Sequence, residues 1–184
     1  MTTLDVGPVP AASVERDRSA VHIRAIRATD APELLRFYAG LSPDSRRTRF
    51  LSVSGAVSPA QSISFCTTDH DHEEGFVAVV HGGPFDSPRI VGHLCLEPDG
   101  SDAAEVAIAV ADEFQHRGIG RRLMAAGAAW ARREHVRRFI ATMFAGNAPI
   151  NRLLIGLGLP TRVRYTAAGV TKITIDLVAE IVAA

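Results

Sequence analysis

Several short stretches of the chain alternate apolar and polar residues or form brief apolar runs between turn residues, and both patterns predict β-strands. The stretches are 21–27, 76–80, 89–97, 103–111, 137–145, 162–166 and 170–178. The last two are separated by only a few small residues, so they are expected to form a terminal hairpin.

Other segments place apolar residues at helical spacing and begin with a residue that can cap a helix. The clearest predicted helix runs from Gly118 to about Arg133, with Trp130 in the core. The remaining predicted helices, 29–40, 42–51, 58–66 and 147–158, begin at Thr29 or Asp30, Ser42, Ser58 and Asn147. The predicted order is therefore strand, three helices, three strands, helix, strand, helix and two strands.

Length and composition fit one globular domain, expected over 20–184 after a disordered lead of residues 1–19. The chain has 184 residues and a formal net charge of +0, so bulk charge does not favour a nucleic acid or a membrane surface as partner. Two isolated cysteines, no apolar run of about 20 residues and no signal-peptide pattern predict a reduced, cytoplasmic protein without a zinc site.

The stretch EFQHRGIGRRLM, residues 113–124, places two glycines where a strand leads into a helix. A helix N-terminus offers unpaired N–H groups and a positive dipole end, and Gly118 and Gly120 would let a phosphate reach them. An ordinary strand-to-helix turn explains the same residues. A dinucleotide fingerprint is disfavoured because Leu123 occupies its third glycine position.

Asn147 begins the next strand-to-helix junction, so a ligand could span both helix starts, although an ordinary N-cap is the alternative. In the predicted strand at 103–111, the alternation separates a bulky face from a face of small residues that begins with Glu105. The bulky face carries Val106, Ile108 and Val110, and the small face carries Ala107, Ala109 and Ala111. The small face leaves room for a ligand, whereas Glu105 could also be a solvated strand end.

These motifs resemble the GNAT superfamily of N-acyltransferases. The stretch at 113–124, which we call the glycine loop, is similar to the family's acyl-CoA signature, Q/R-x-x-G-x-G/A. The segment NAPINRLLIGLGL is similar to the family's later segment, N-x-x-A-x-x-L-Y-x-x-x-G-F. The resemblance implies an α/β (α+β) fold with a mixed, mostly antiparallel sheet of about seven strands. It also implies four to five helices and a V-shaped splay between the fourth and fifth strands.

A narrower resemblance links LSPDSRRTRFLS, TDHDHEEGFVAVV and AEVAIAV to bacterial enzymes that acetylate protein lysines. It implies acetyl-CoA as co-substrate, a primary amine such as a protein lysine as acceptor, and no metal; a homodimer is compatible with it. Glu105 matches the general base, which we expect to be partly desolvated. Leu154 stands where the family has a tyrosine proposed as the acid for the leaving thiolate.

The resemblance also implies which residues hold the cofactor. The pantetheine arm would be held by the backbone of Ile108, Ala109 and Val110 and by the side chains of Asn147 and Asn151. The pyrophosphate would be held, chiefly by backbone N–H groups, by Gln115, His116, Arg117, Gly118, Ile119, Gly120, Arg121 and Arg122.

Two further clusters leave alternatives open. His70, Asp71 and His72 either bind a metal or form a polar loop near the acceptor, and Asp71, His72 and Glu73 are the next candidates for the base after Glu105. Arg46, Arg47 and Arg49 either recognise an acidic substrate or lie on a solvated helix face. Acetylation of a protein lysine competes with acetylation of a small amine and with a CoA-binding regulatory module that lacks turnover.

Overall fold

The computed structural model describes residues 21–52, 55–68, 74–81 and 88–177. The predicted N-terminal lead and the cluster from His70 to Glu73 lie outside the described residues. The strands are β1 (His22–Ala25), β2 (Glu74–Val80), β3 (Arg89–Pro98), β4 (Ala103–Val110), β5 (Arg138–Phe144), β6 (Thr161–Ala167) and β7 (Val170–Asp176). The helices are α1 (Ala31–Gly40), α2 (Pro43–Phe50), α3 (Pro59–Cys66), α4 (Ile119–Arg133) and α5 (Ala148–Leu157).

The strands form one seven-stranded sheet in the order β1-β2-β3-β4-β5-β7-β6. All neighbours are antiparallel except β4 and β5, which run parallel. These two strands pair only from Ala103 with Arg138 to Glu105 with Ile140. Beyond these residues the two strands separate, so the sheet opens between its fourth and fifth strands as predicted.

The alternation along β3 shows which helices cover each face of the sheet. Leu94 faces α4, because a Cβ built on Gly127 would lie 2.7 Å from its Cδ2. His93 faces the opposite way and forms a 2.7 Å hydrogen bond with Tyr38 of α1. Helix α2 lies on the same face as α1, since Arg49 contacts Cys95. We call these sides the α4 face and the α2 face.

The helix ends follow the predicted caps with one exception. Ser42, Ser58 and Asn147 cap α2, α3 and α5 by accepting a backbone N–H. Asp30 precedes α1 but makes no side-chain cap to it. Its carboxylate instead accepts from both terminal nitrogens of Arg24, at 2.7 Å each, so the predicted cap at this position is wrong.

The core lies on both faces of the sheet. Its largest fully buried side chains include Trp130, as predicted, together with Tyr38 and Phe139. Within the described ranges, no helix has both the length and the apolar character that a membrane crossing requires.

Candidate active site

The separation of β4 from β5 creates a cleft that is partly open to solvent. Residues from β4, β5, β7 and three helices line it: Thr48, Arg49, Val106, Ala107, Ile108, Met124, Ala141, Thr142, Met143, Asn147, Ile150, Leu153, Leu154 and Ile175. Because both faces of the sheet contribute residues, the cleft is a path through the sheet.

The edge of β4 that faces the cleft carries backbone groups that no neighbouring strand uses. The N–H of Ala111 donates to Val91 of β3 at 2.9 Å, so alternation directs the backbone groups of Ile108 and Val110 to the opposite edge. Beyond Glu105 no pairing with β5 occurs there. The backbone of Ala109 belongs to the edge that pairs with β3, so its expected role as a backbone ligand does not fit this register.

Helix α4 begins beside this edge without a side-chain cap. Its N-cap is Gly118, with φ of 77° in the left-handed region and no neighbouring atom within 4 Å of a built Cβ. The amides of Ile119, Gly120 and Arg121 precede the first helical hydrogen bond, which runs from Arg122 to Gly118 at 3.1 Å. The geometry therefore offers an anion a group of N–H donors and the positive end of a helix dipole.

Several side chains of the glycine loop serve the protein itself. The Gln115 amide nitrogen donates to Ser45 and to the carbonyl of Val110, and its backbone N–H donates to Asp112. Gln115 thus fixes the loop and does not offer a free N–H, contrary to its expected role. The guanidinium of Arg122 donates to Val21 at 2.9 Å.

The remaining residues of this loop lie around the start of α4. Arg117 lies over the ring of Phe114, His116 takes a positive φ of 60°, and Ile119 is buried in the core. Their side chains shape the turn, so any contact of Ile119 with a ligand would use its backbone.

Asn147 lies at the start of α5, the second of the two predicted helix starts, and lines the cleft. Its Oδ1 accepts from the N–H of Ile150 at 3.2 Å, and the residue is buried at the lining. Because the oxygen caps the helix, the amide nitrogen is the group available to a ligand. Asn151 is exposed one turn later and does not line the cleft.

Glu105 is exposed on the α2 face, so the expected partial desolvation is not present in this structure. It lies next to Val106, which lines the cleft, at the last position where β4 pairs with β5. Glu97 of β3 is its direct cross-strand partner. Within the described part of the chain, the Glu105 carboxylate has no hydrogen-bond or ion-pair partner.

The α2 face carries a polar cluster that the sequence analysis missed as a unit. It consists of Tyr38, Arg49, His93 and Cys95. Tyr38 and Nδ1 of His93 are hydrogen bonded, and Arg49 Nη2 lies 3.3 Å from the Cys95 sulfur. Burial lowers the pKa of His93 to about 3, so this imidazole is neutral at physiological pH.

Helix α2 is hydrogen bonded to Asp112, the residue directly before the glycine loop. Asp112 accepts from the backbone N–H of Ser42 and from the hydroxyls of Ser42 and Ser45, at 2.7 to 2.9 Å. Burial raises the pKa of Asp112, but these hydrogen bonds outweigh it and hold the pKa below its usual value. These hydrogen bonds therefore join helix α2, which lines the cleft, to the turn that leads into α4.

Leu154, at the position that replaces the tyrosine, is buried on α5 and lines the cleft. Among the described residues, no group of three or more histidine, cysteine, aspartate or glutamate side chains could hold a metal ion.

Comparison with known proteins agrees with this geometry. The model of the Acetyltransferase (GNAT) family matches residues 41–158. An acetyltransferase of Pseudomonas aeruginosa is 30% identical over 143 residues, which is 77% of this chain and 76% of that protein.

Solved structures show the same fold. The GNAT domain of PAT from S. lividans is 24% identical with a TM-score of 0.74, over 88% of this chain and 98% of that chain. A putative acetyltransferase from Salmonella typhimurium, solved with its cofactor acetyl-CoA, is 17% identical with a TM-score of 0.66, over 86% and 94% of the two chains. With the family model matching more than half of its length, this chain belongs to the GNAT family of acetyltransferases.

Proposed function

We propose that the protein transfers an acetyl group from acetyl-CoA to a primary amine, with a protein lysine as the acceptor and Glu105 as the general base. The observation that carries this proposal is the open edge of β4 beside the uncapped start of α4. An extended amide-containing arm can pair with the first, and a pyrophosphate can bind the second.

The relatives support the donor, and short motifs of the sequence support the acceptor. The Salmonella structure contains acetyl-CoA. The S. lividans domain comes from a protein named PAT and shares the fold at 24% identity. The short motifs that resemble lysine acetyltransferases point to the same acceptor.

Donor binding divides among three parts of the site. The amides of Ile119, Gly120 and Arg121 would bind the pyrophosphate, while Ile108 would pair with the pantetheine arm as a further strand does. The amide nitrogen of Asn147 would donate to the same arm. Apolar residues of α5, including Leu153 and Leu154, would exclude water from the thioester.

The reaction needs a neutral amine. A lysine amine has a pKa near ~10.4, so fewer than about one in a thousand is neutral at pH 7. Glu105 would accept the amine proton as the nitrogen attacks the thioester carbon. The C–N bond then forms, the C–S bond breaks, and the thiolate leaves and takes a proton from water. A positioned base contributes ~10²–10⁴-fold to such a step.

Glu105→Gln tests the base, because it keeps the size of the side chain and removes its basicity. We expect acetyl-CoA affinity to stay within about threefold while turnover falls by ~10²-fold or more. The residual activity should rise with pH, since more of the amine is then neutral. Glu97→Gln is the matched control, because Glu97 is an exposed carboxylate directly opposite on β3.

The outcomes separate the competing functions. Native turnover at pH 7 in Glu105→Gln contradicts the assignment of Glu105 as the base. A loss of turnover in Glu97→Gln alone would assign the base to Glu97. Acetylation of small amines but not of lysine peptides contradicts the protein acceptor. Binding of CoA without turnover of any amine indicates a regulatory module instead of an enzyme.

A further inference from the structure

Arg49 is a cation placed inside the protein at the edge of the cleft. Its Nε is buried and has no hydrogen-bond partner, although the residue as a whole is partly exposed where it lines the cleft. Its guanidinium carbon lies 4.9 Å from the ring centre of Phe50, 5.9 Å from that of Phe65 and 6.0 Å from that of Tyr38. Of the two roles that the sequence left open for Arg49, the solvated helix face does not fit this residue.

The described part of the protein supplies no carboxylate for this cation. The ion pairs found there use Arg24, Arg36, Arg89, Arg138 and Arg162. Arg49 instead contacts the sulfur of Cys95, the hydroxyl of Tyr38 and the aromatic rings, and none of these groups is a carboxylate. A buried charge without a counter-charge is destabilising by several kcal/mol, and aromatic faces recover only about 2 kcal/mol.

The position of Arg49 indicates which ligand could provide the counter-charge. The helix starts proposed to bind the CoA phosphates and the pantetheine arm, at Gly118 and Asn147, belong to α4 and α5. Arg49 lies across the sheet from α4, on the α2 face, which also carries Glu105. A donor that enters from the α4 face leaves the α2 face for the acceptor.

We propose that the acceptor is an amine that carries a carboxylate close to the reacting nitrogen, and that Arg49 binds this carboxylate. This inference rests on the proposed acetyl transfer and specifies its substrate class. A planar guanidinium held by aromatic rings is preorganised for a carboxylate, so little side-chain entropy is lost on binding. A lysine beside a glutamate in a peptide and a free amino acid both present this chemistry.

Pairs of acceptors that differ only in charge test the proposal on the native protein. One pair is a lysine peptide with Glu or with Gln beside the lysine, and the other is a free amino acid and its amide. With acetyl-CoA as donor, we expect kcat/KM to be about 10- to 100-fold higher for the anionic member of at least one pair, as one charge-assisted contact gives. The pair that shows this difference in kcat/KM identifies whether the acceptor is a protein or a free amino acid.

Arg49→Gln should reduce kcat/KM for the anionic acceptor by a similar factor and leave the neutral acceptor and acetyl-CoA affinity unchanged. Arg46→Gln is the matched control, because Arg46 lies on the same helix, bonds to the Ala39 carbonyl and does not line the cleft. If Arg49→Gln fails to fold, Arg49→Lys is the alternative, because it retains the charge but lacks the planar guanidinium. This variant should retain part of the preference for the anionic acceptor.

Three results would overturn the proposal. Equal or faster transfer to the neutral member of both pairs contradicts the need for a carboxylate while leaving acetyl transfer intact. An equal loss for charged and neutral acceptors in Arg49→Gln would show that the cation acts on the thioester or the leaving thiolate. Failure to acetylate any amine would remove the proposed function and this inference together.

Discussion

The two faces of the sheet approach the same cleft with different chemistry. On the α4 face, the start of α4 has a glycine N-cap, no side-chain cap and a row of backbone amides. On the α2 face, the cleft adjoins a partly buried arginine, a neutral histidine and aromatic rings contributed by three helices and β3. One face offers main-chain donors and the other offers side chains.

This difference separates a general function from a specific one. Backbone amides at a helix start bind a phosphate whatever the neighbouring side chains are, so the α4 face suits a cofactor shared by many proteins. A side-chain cluster recognises one kind of partner and can change without altering cofactor binding. Changes on the α4 face should therefore affect CoA affinity for every acceptor, whereas changes in the side chains of the α2 face should not.

The largest effect is expected from Gly118→Asp, which places a carboxylate beside the bound phosphates. Binding of CoA, measured by calorimetry, should be lost or weakened by more than ~10²-fold for a folded variant. The fold should persist, because a built Cβ meets nothing within 4 Å and aspartate tolerates a positive φ better than most residues.

Gly100→Asp is the matched control, since Gly100 has φ of 80°, equally open surroundings and a position in the β3–β4 turn. A similar loss of CoA affinity in both variants would mean that strain, and not charge at the cleft, causes it. Unchanged affinity in Gly118→Asp would remove the start of α4 from the site.

The sequence predicted the α4 face far better than the α2 face, and the reason is the distance between the contributing residues. The glycine loop is a continuous segment whose spacing has a direct structural meaning, so its place at the start of α4 could be read locally. Tyr38 and His93 are 55 positions apart and Arg49 and Cys95 are 46 apart, so their contacts depend on how α1, α2 and β3 pack.

One open alternative and one wrong expectation have the same origin. Arg49 was compatible with both a solvated and a binding role, because an arginine-rich helix shows no single buried face. Glu105 was expected to be partly desolvated from its assigned chemistry, yet it lies at an exposed position where β4 leaves β5. Burial of individual polar side chains is decided by tertiary packing, which sequence periodicity does not contain.

A second prediction concerns the buried histidine of the α2 face. The pKa of His93 is about 3 in the folded protein and ordinarily about 6.5, so below pH 6.5 the unfolded chain binds a proton that the folded chain does not. Stability should therefore fall as the pH drops from 6.5 towards 3, by about 2 kcal/mol at pH 5. His93→Gln should remove this part of the pH dependence, as measured by urea unfolding at pH 7 and pH 5.

The exposed His22 provides a surface control for the exchange of histidine for glutamine, so His22→Gln is measured by urea unfolding at the same two pH values. An unchanged slope in His93→Gln would show that His93 titrates normally. Affinity for CoA at pH 7 should stay native in both variants, and its loss in His93→Gln would contradict the division between the two faces.

A third, smaller effect is expected at Asn147, where one side chain has two tasks. Asn147→Asp keeps the capping oxygen for Ile150 and removes the amide donor, so CoA affinity should fall by about tenfold with an unchanged melting temperature. Asn147→Ala removes both and should in addition destabilise the protein by about 1 kcal/mol. Equal CoA affinity in Asn147→Asp and the native protein would restrict Asn147 to capping.

The smallest effect is expected at Leu154, the apolar residue in the place of the family's tyrosine. A thiol has a pKa near ~8.5, so its thiolate leaves readily and water can protonate it. Leu154→Tyr should therefore change turnover less than tenfold, and Leu154→Phe, which has nearly the same size and no hydroxyl, should match it. A gain of more than tenfold in the tyrosine variant alone would show that the missing acid limits the native enzyme. An equal large loss in both folded variants would mean that Leu154, which is buried at the cleft, sets the width of the thioester channel.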